Sequence, residues 1–156
     1  MKPLNDAEKQ YWHDYLKTLK ESERPIYPFV EASYAGNKDV TDALLQLCLN
    51  GKKVAGSSIA EDFLSAGDPL PKVGNYWIYL NSRSEPSCIL LTEKVVTNKF
   101  KDVPIEIALA EGESDLSLDH WKTVHKSAYS PFLSKWGIRH IDEATVVTEF
   151  FKIVHI

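Results

Sequence analysis

The chain has 156 residues, of which 44% are hydrophobic and 26% charged, and its formal net charge is −4. This length suffices for one domain whose core buries roughly two-thirds of the unfolded surface, and the composition excludes a long disordered chain. The acidic balance excludes a protein that coats duplex nucleic acid through a basic surface, but leaves open a local site for one nucleotide or a short single strand.

Tyr11, Trp12, Tyr15, Leu16 and Leu19 fall on one helical stripe, with Asn5 or Asp6 as N-cap and Pro25 as the stop. No run approaches the ~20 apolar residues of a membrane span, and the first residues lead into a charged pattern rather than an apolar leader. A cytoplasmic location without membrane contact is expected. Residues 24–37 hold two prolines and Ala35-Gly36-Asn37, and read as a connector whose Tyr27, Phe29 and Tyr34 dock on the core. A second helix is predicted over 38–50, burying Val40, Ala43, Leu44, Leu47 and Cys48, with Gly51 as its left-handed cap. Cys48 and Cys88 both lie in apolar segments, the usual setting of reduced core cysteines.

Ser58-Ile59-Ala60-Glu61 has the form of a capping box, so Ser57 or Ser58 is expected to start a short helix that runs to Ala66 and closes at Gly67. Beyond Pro69 and Pro71 the pattern turns strand-like. Tyr76-Trp77-Ile78-Tyr79-Leu80, a turn over 81–86 and residues 87–100 read as two or three strands. Pro104 opens a helix to Ala110, and Glu111-Gly112-Glu113-Ser114-Asp115 reads as an acidic turn. Ser117 then caps a helix carrying Trp121, Val124, His125 and Ala128. Pro131 ends or kinks it, Gly137 follows a last turn with Phe132, Leu133 and Trp136, and residues 144–156 form a final strand. Helices inserted among strands of one half predict an α+β domain built on a small mixed β-barrel. A single domain over 1–156 is expected, with N-terminal helices in 1–50 packed on a barrel core in 51–156.

No phosphate-binding loop, dinucleotide fingerprint or nucleophile elbow occurs. His120 and His125 are five apart and do not share a helix face, so neither a metal nor any other cofactor is expected. A lysine, two hydroxyls and a carboxylate are left: Lys53, Ser57, Ser58 and Glu113. A buried lysine beside a carboxylate can activate a hydroxyl or polarise a carbonyl. Lys52 and Lys53 also suit the negative end of the preceding helix, and a lysine–glutamate pair is often purely structural. Trp77 and Tyr79 share one sheet face, where they can pack in the core or stack a base. Trp121 and His125, four apart, share a helix face that can wall a cleft near Glu113, with Ser127 just beyond.

Three segments resemble the ASCH family in its longer bacterial form: Gly51-Lys52-Lys53-Val54-Ala55-Gly56-Ser57-Ser58, Gly67-Asp68-Pro69-Leu70-Pro71-Lys72-Val73-Gly74, and Ala110-Glu111-Gly112-Glu113-Ser114-Asp115-Leu116-Ser117-Leu118 with Trp121 and His125. The run 142–154, with Val146-Val147 and Glu149-Phe150, resembles that family's last strand, so the likeness covers nearly the whole chain. The resemblance implies a barrel related to the PUA fold, with N-terminal helices added, and a cleft where the lysine of a G-x-K-x-x-T segment faces a glutamate from a later turn. It implies an RNA-related role, with a nucleoside or short single-stranded RNA as partner. It also brings two enzymatic readings, since some smaller members are metal-independent amidohydrolases on N4-acetylcytidine with a Lys, Thr and Glu set and some members show ribonuclease activity. The lysine corresponds to Lys53 and the glutamate to Glu113, but the threonine corresponds to Gly56, which has no side chain. Either Ser57 or Ser58 substitutes through a bent backbone, or the cleft binds a ligand through Lys53, Gly56, Trp121, His125 and Ser127 without hydrolysis. Asn75 is a second departure, at a position where the family commonly has aspartate.

Overall fold

The computed structural model describes residues 2–113 and 115–156. Among these residues, five α-helices accompany a five-stranded sheet curled into a half-barrel, the mixed α+β, PUA-like architecture expected from the sequence. The strands β1 (Val30–Tyr34), β2 (Ala55–Ile59), β3 (Tyr76–Leu80), β4 (Pro86–Lys99) and β5 (Thr145–His155) lie in the order β1-β3-β4-β5-β2. Among the described residues, only β1 and β3 run parallel. In β4, 14 residues long, the register against β5 shifts between Thr92 and Lys94, leaving Glu93 as an extra residue. Such a bulge bends its strand and increases the local twist, which helps the sheet curl.

Alternation along β3 separates the two faces of the sheet. Tyr76, Ile78 and Leu80 pack with Trp12 and Tyr15 of α1 (Asp6–Lys17), while Trp77 and Tyr79 pack on the opposite face with Leu44 and Leu45 of α2 (Thr41–Leu49). Asn5 starts α1 through a reciprocal capping box with Glu8. A third cluster joins Ile59 and Val146 of the sheet to Ile107 of α4 (Ile105–Glu111) and Trp121 of α5 (Leu118–Tyr129), whose N-cap is Ser117 as expected. Cys48 and Cys88 are buried free thiols, and burial pushes their pKa values up to about 11 and about 12. Among the described residues, no helix is long and apolar enough to cross a membrane.

The structure corrects the sequence reading at three joints. Residues 24–37 are more than a connector, because they include the edge strand β1, with Val30 opposite Tyr76. Tyr27 docks on nothing: it is 98% exposed, with a φ of 49°. Helix α2 is rolled from the expected face and buries Thr41, Leu45 and Cys48, leaving Val40 exposed. The Thr41 hydroxyl fixes this rotation by accepting from the Ala35 N–H at 2.9 Å and donating to the Leu80 carbonyl at 2.6 Å.

The third correction concerns Ser57 and Ser58. Both lie in β2, where Ser57 pairs with Thr148 and Ser58 with Val147, and neither caps α3 (Ala60–Ala66). Glu61 is drawn to the start of β5, accepting from the Thr145 N–H and hydroxyl at 2.9 Å each, so it cannot close a capping box. Gly67 does end α3, in the left-handed conformation.

Candidate functional site

The segment after α2 is stitched into the fold by its backbone. Lys53 N–H donates to the Leu47 carbonyl at 2.9 Å, and Val54 N–H donates to the Ala110 carbonyl at 2.8 Å. The Val54 carbonyl accepts from Phe151 N–H at 3.0 Å. These bonds hold Lys53 against the end of α4, where it is 4% exposed. Its Nζ donates to Glu113 Oε2 at 3.1 Å and lies 3.5 Å from Glu111 Oε1. The lysine and glutamate singled out in the sequence, sixty positions apart, are therefore in contact.

In the sequence Glu111 reads as the start of an acidic turn, but it is the last residue of α4 and is 3% exposed. Its Oε1 accepts from the Ser57 N–H at 3.2 Å, and its Oε2 accepts from the Trp121 indole N–H. His125 Nε2 is 3.7 Å from the same Oε2, with the imidazole stacked on the Trp121 ring at a centroid separation of 4.0 Å. His125 Nδ1 lies 2.7 Å from the Trp121 carbonyl oxygen, which can only accept, so Nδ1 carries the hydrogen. Glu111 thus joins β2, α4, α5 and Lys53. Because β2 is an edge strand, its outward N–H and C=O need partners: Glu111 serves the Ser57 N–H, and Tyr129 donates its hydroxyl to the Ser57 carbonyl at 3.3 Å. Burial, with Glu111 and Glu113 nearby, pushes the Tyr129 phenol well above its usual pKa, which keeps it a donor.

These groups open onto a cleft of about 910 Å³. Trp77 and Tyr79 of β3, Phe151 of β5, Tyr129 and Trp136 give it aromatic walls. Glu149 of β5 stands across from Gly56 in the β2–β5 register, and its Oε1 accepts from the Trp77 indole N–H at 2.8 Å and the Thr92 hydroxyl at 2.9 Å. Burial raises the Glu149 pKa, and the two hydrogen bonds only partly oppose it. Six charged residues line the cleft: Asp62, Glu111, Glu113 and Glu149 against Lys53 and Lys135. Lys53 is held by Glu111 and Glu113, and Lys135 is 3.6 Å from Asp62. The cleft is thus an acidic, aromatic-walled cavity in which both lysines already face carboxylates. A buried lysine flanked by carboxylates can move a proton or hold a polar ligand group.

The other predicted site residues fall less evenly. Gly56 lines the cleft, and a Cβ there would meet only the Tyr79 hydroxyl, at 3.7 Å. Ser57 Oγ is turned to Thr148 Oγ1 at 2.9 Å, and Ser58 Oγ reaches the Val147 carbonyl at 3.5 Å. Neither hydroxyl bonds to Lys53. His125 lines the cleft, while Trp121 is 4% exposed, lies outside the cleft lining and donates its indole N–H to Glu111. Ser127 is exposed and lies outside the cleft lining. Sequence reasoning missed Glu111 and Glu149 as site residues. The signal for Glu149 was its place two residues before Phe151 in the alternating final strand.

Residues 31–155 match the ASCH domain family. No curated protein matches the chain. The fold is similar to that of an ASCH domain from Lactobacillus crispatus JV V101, with a TM-score of 0.89 at 24% identity, covering 99% of this chain and 98% of that one. It is also similar to protein EF3133 from Enterococcus faecalis V583, a DUF984 protein, with a TM-score of 0.78 at 26% identity over 94% of this chain and 87% of that one. A match over so much of the sequence, on a fold shared throughout its length, makes this chain a member of the ASCH domain family, which is generally linked to RNA binding.

Proposed function

We propose that the cleft binds a nucleoside, an uncharged base and sugar, rather than the phosphate backbone of an RNA strand. The observation that carries this reading is the charge arrangement of the cleft, with four carboxylates against two lysines and each lysine already facing a carboxylate. A phosphate entering it would meet an excess of negative charge and no unengaged lysine among the described lining residues, whereas a neutral base would meet aromatic faces suited to stacking. The volume lies within the roughly 300–1,000 Å³ usual for small-molecule sites. Lys53 and Glu113 supply the polar contacts, with His125 at the rim.

The hydrolytic reading with a serine nucleophile has less support. Ser57 and Ser58 direct their hydroxyls to Thr148 and Val147, and among the described residues no hydroxyl is hydrogen-bonded to Lys53. Ribonuclease action would need a cation free to meet the developing phosphorane charge, and the two lining lysines are both engaged.

Calorimetric titration with the four ribonucleosides, their 5′-monophosphates and a short single-stranded RNA tests the reading. Saturable binding of a nucleoside is expected, little affected by salt and weakened in Glu113→Gln. No saturable nucleoside binding would remove the proposal, and tighter, steeply salt-dependent binding of the RNA would replace it with backbone recognition. Incubation with N4-acetylcytidine in EDTA is expected to give no cytidine. Release that is lost in Glu113→Gln would turn the binder into an amidohydrolase.

A further inference from the structure

Glu149 has a free oxygen. Its Oε1 is saturated by the Trp77 indole and the Thr92 hydroxyl, the two lone pairs of that oxygen each meeting one donor, whereas Oε2 accepts from nothing among the described residues. Anchoring Trp77 and Thr92 requires only Oε1. Glu149 lines the cleft together with the aromatic residues Trp77, Tyr79 and Phe151. Tyr79 also lines the cleft, with its hydroxyl near Gly56, and that hydroxyl has no hydrogen-bond partner among the described residues. The Lys53 end of the cleft is internally paired, but this end is not.

From this geometry we infer that Glu149 reads the hydrogen-bonding edge of the bound base, its Oε2 accepting from an N–H of an uncharged heteroaromatic ring stacked on the neighbouring aromatic side chains. The inference rests on the nucleoside reading of the cleft and adds the residue that sets base preference. An open carboxylate oxygen in apolar surroundings is poorly solvated, and a ring N–H or amino group supplies the missing donor. A base offering only acceptors at that point would meet acceptor against acceptor.

Glu149→Gln tests this directly, because the two donors at Oε1 dictate how the amide sits. Its oxygen must face Trp77 and Thr92, so its NH2 takes the place of Oε2. The open atom changes from acceptor to donor with no change of shape. Cytidine and uridine form a matched probe pair, since they exchange donor and acceptor at both the 3 and 4 positions of the ring. At pH 8, the ratio of their dissociation constants is expected to invert between the wild-type protein and Glu149→Gln, each side shifting by about tenfold, as for one charge-assisted hydrogen bond. An unchanged ratio, with both nucleosides still bound, would overturn the role of Glu149 while leaving the nucleoside reading intact. Absence of nucleoside binding to the wild-type protein would remove both. Should the variant not fold, the wild-type protein still decides. The 13C resonance of the Glu149 carboxyl should move on saturation with the preferred nucleoside, and a resonance that stays fixed at saturation overturns the inference.

Discussion

Gly112 lies so close to the backbone of Lys52 that a Cβ at this position would overlap the Lys52 carbonyl oxygen. Its φ of 65° is left-handed, where a side chain is strained even in open space. Both constraints act at the point where α4 ends between Glu111 and Glu113, the two partners of Lys53. Gly112→Ala therefore should unseat this joint. Left-handed strain of about 1–2 kcal/mol and overpacking of about 1–3 kcal/mol predict a loss of roughly 2–5 kcal/mol in urea denaturation. A loss below about 1 kcal/mol would mean that the joint gives way easily and is not what fixes Lys53.

Gly56 provides the contrasting case. A Cβ there would meet only the Tyr79 hydroxyl, at ordinary van der Waals distance, and its φ is not in the left-handed region. Gly56→Ala and Gly56→Thr should both fold, with stability equal to wild type or higher by up to about 1 kcal/mol, because glycine is a poor strand residue. Destabilisation beyond about 1 kcal/mol in Gly56→Ala would show that the cleft floor has no room for a side chain. A Cβ thus has space here, so the glycine is not forced by crowding at that atom.

Much of this arrangement could be read from residue order. The capping asparagine at Asn5, the left-handed glycines Gly51 and Gly67, the strand at Tyr76–Leu80 and the Ser117 cap rest on local rules, and the local rules decided them. What was missed depended on distant partners. β2 is built of Ala55, Gly56, Ser57, Ser58 and Ile59, small residues whose run ends in a passable capping box, and only its pairing with β5 makes it a strand. β1 is likewise short and mixed, and parallel pairing with β3 defines it. Glu111 sits in a run that reads as an acidic turn, yet Lys53, Trp121 of α5 and the Ser57 N–H of β2 surround it. The contact between Lys53 and Glu113 was legible only through the family resemblance, since nothing local links residues sixty positions apart.

The burial of Glu111 predicts how Lys53 variants behave. Removing one member of a buried ion pair leaves an uncompensated charge and commonly costs about 3–5 kcal/mol. Lys53→Met should show a loss of that order in chemical denaturation, and Lys53→Met/Glu111→Gln should be at least about 1 kcal/mol less destabilised than the sum of its two single variants. Recovery will be partial, because the glutamine nitrogen must face either the Ser57 or the Trp121 N–H. Glu113 is about one-third exposed, so Glu113→Gln should cost no more than about 1 kcal/mol. Strict additivity of the Lys53 and Glu111 variants would contradict the coupling.

Glu149 predicts a pH dependence of stability whose sign is opposite to that of a salt-bridged carboxylate. Burial raises its pKa in the folded protein, while Trp77 and Thr92 hold it down only in part. The folded state thus binds this proton more tightly than the unfolded chain, where a glutamate titrates near ~4.3. The contribution is fully present below that value and is lost as pH rises through the folded pKa. Glu149→Gln keeps a carbonyl oxygen for Trp77 and Thr92 but has no proton to lose. All other groups are common to the two proteins, so the difference isolates Glu149. The stability of Glu149→Gln minus that of the wild-type protein, from urea denaturation between pH 4 and pH 8, should rise with pH and then level off. A difference that stays flat, or that falls with pH, would mean that the Glu149 carboxylate is at least as well stabilised in the fold as in the open chain, and the cleft around it would then be wetter than its aromatic walls imply.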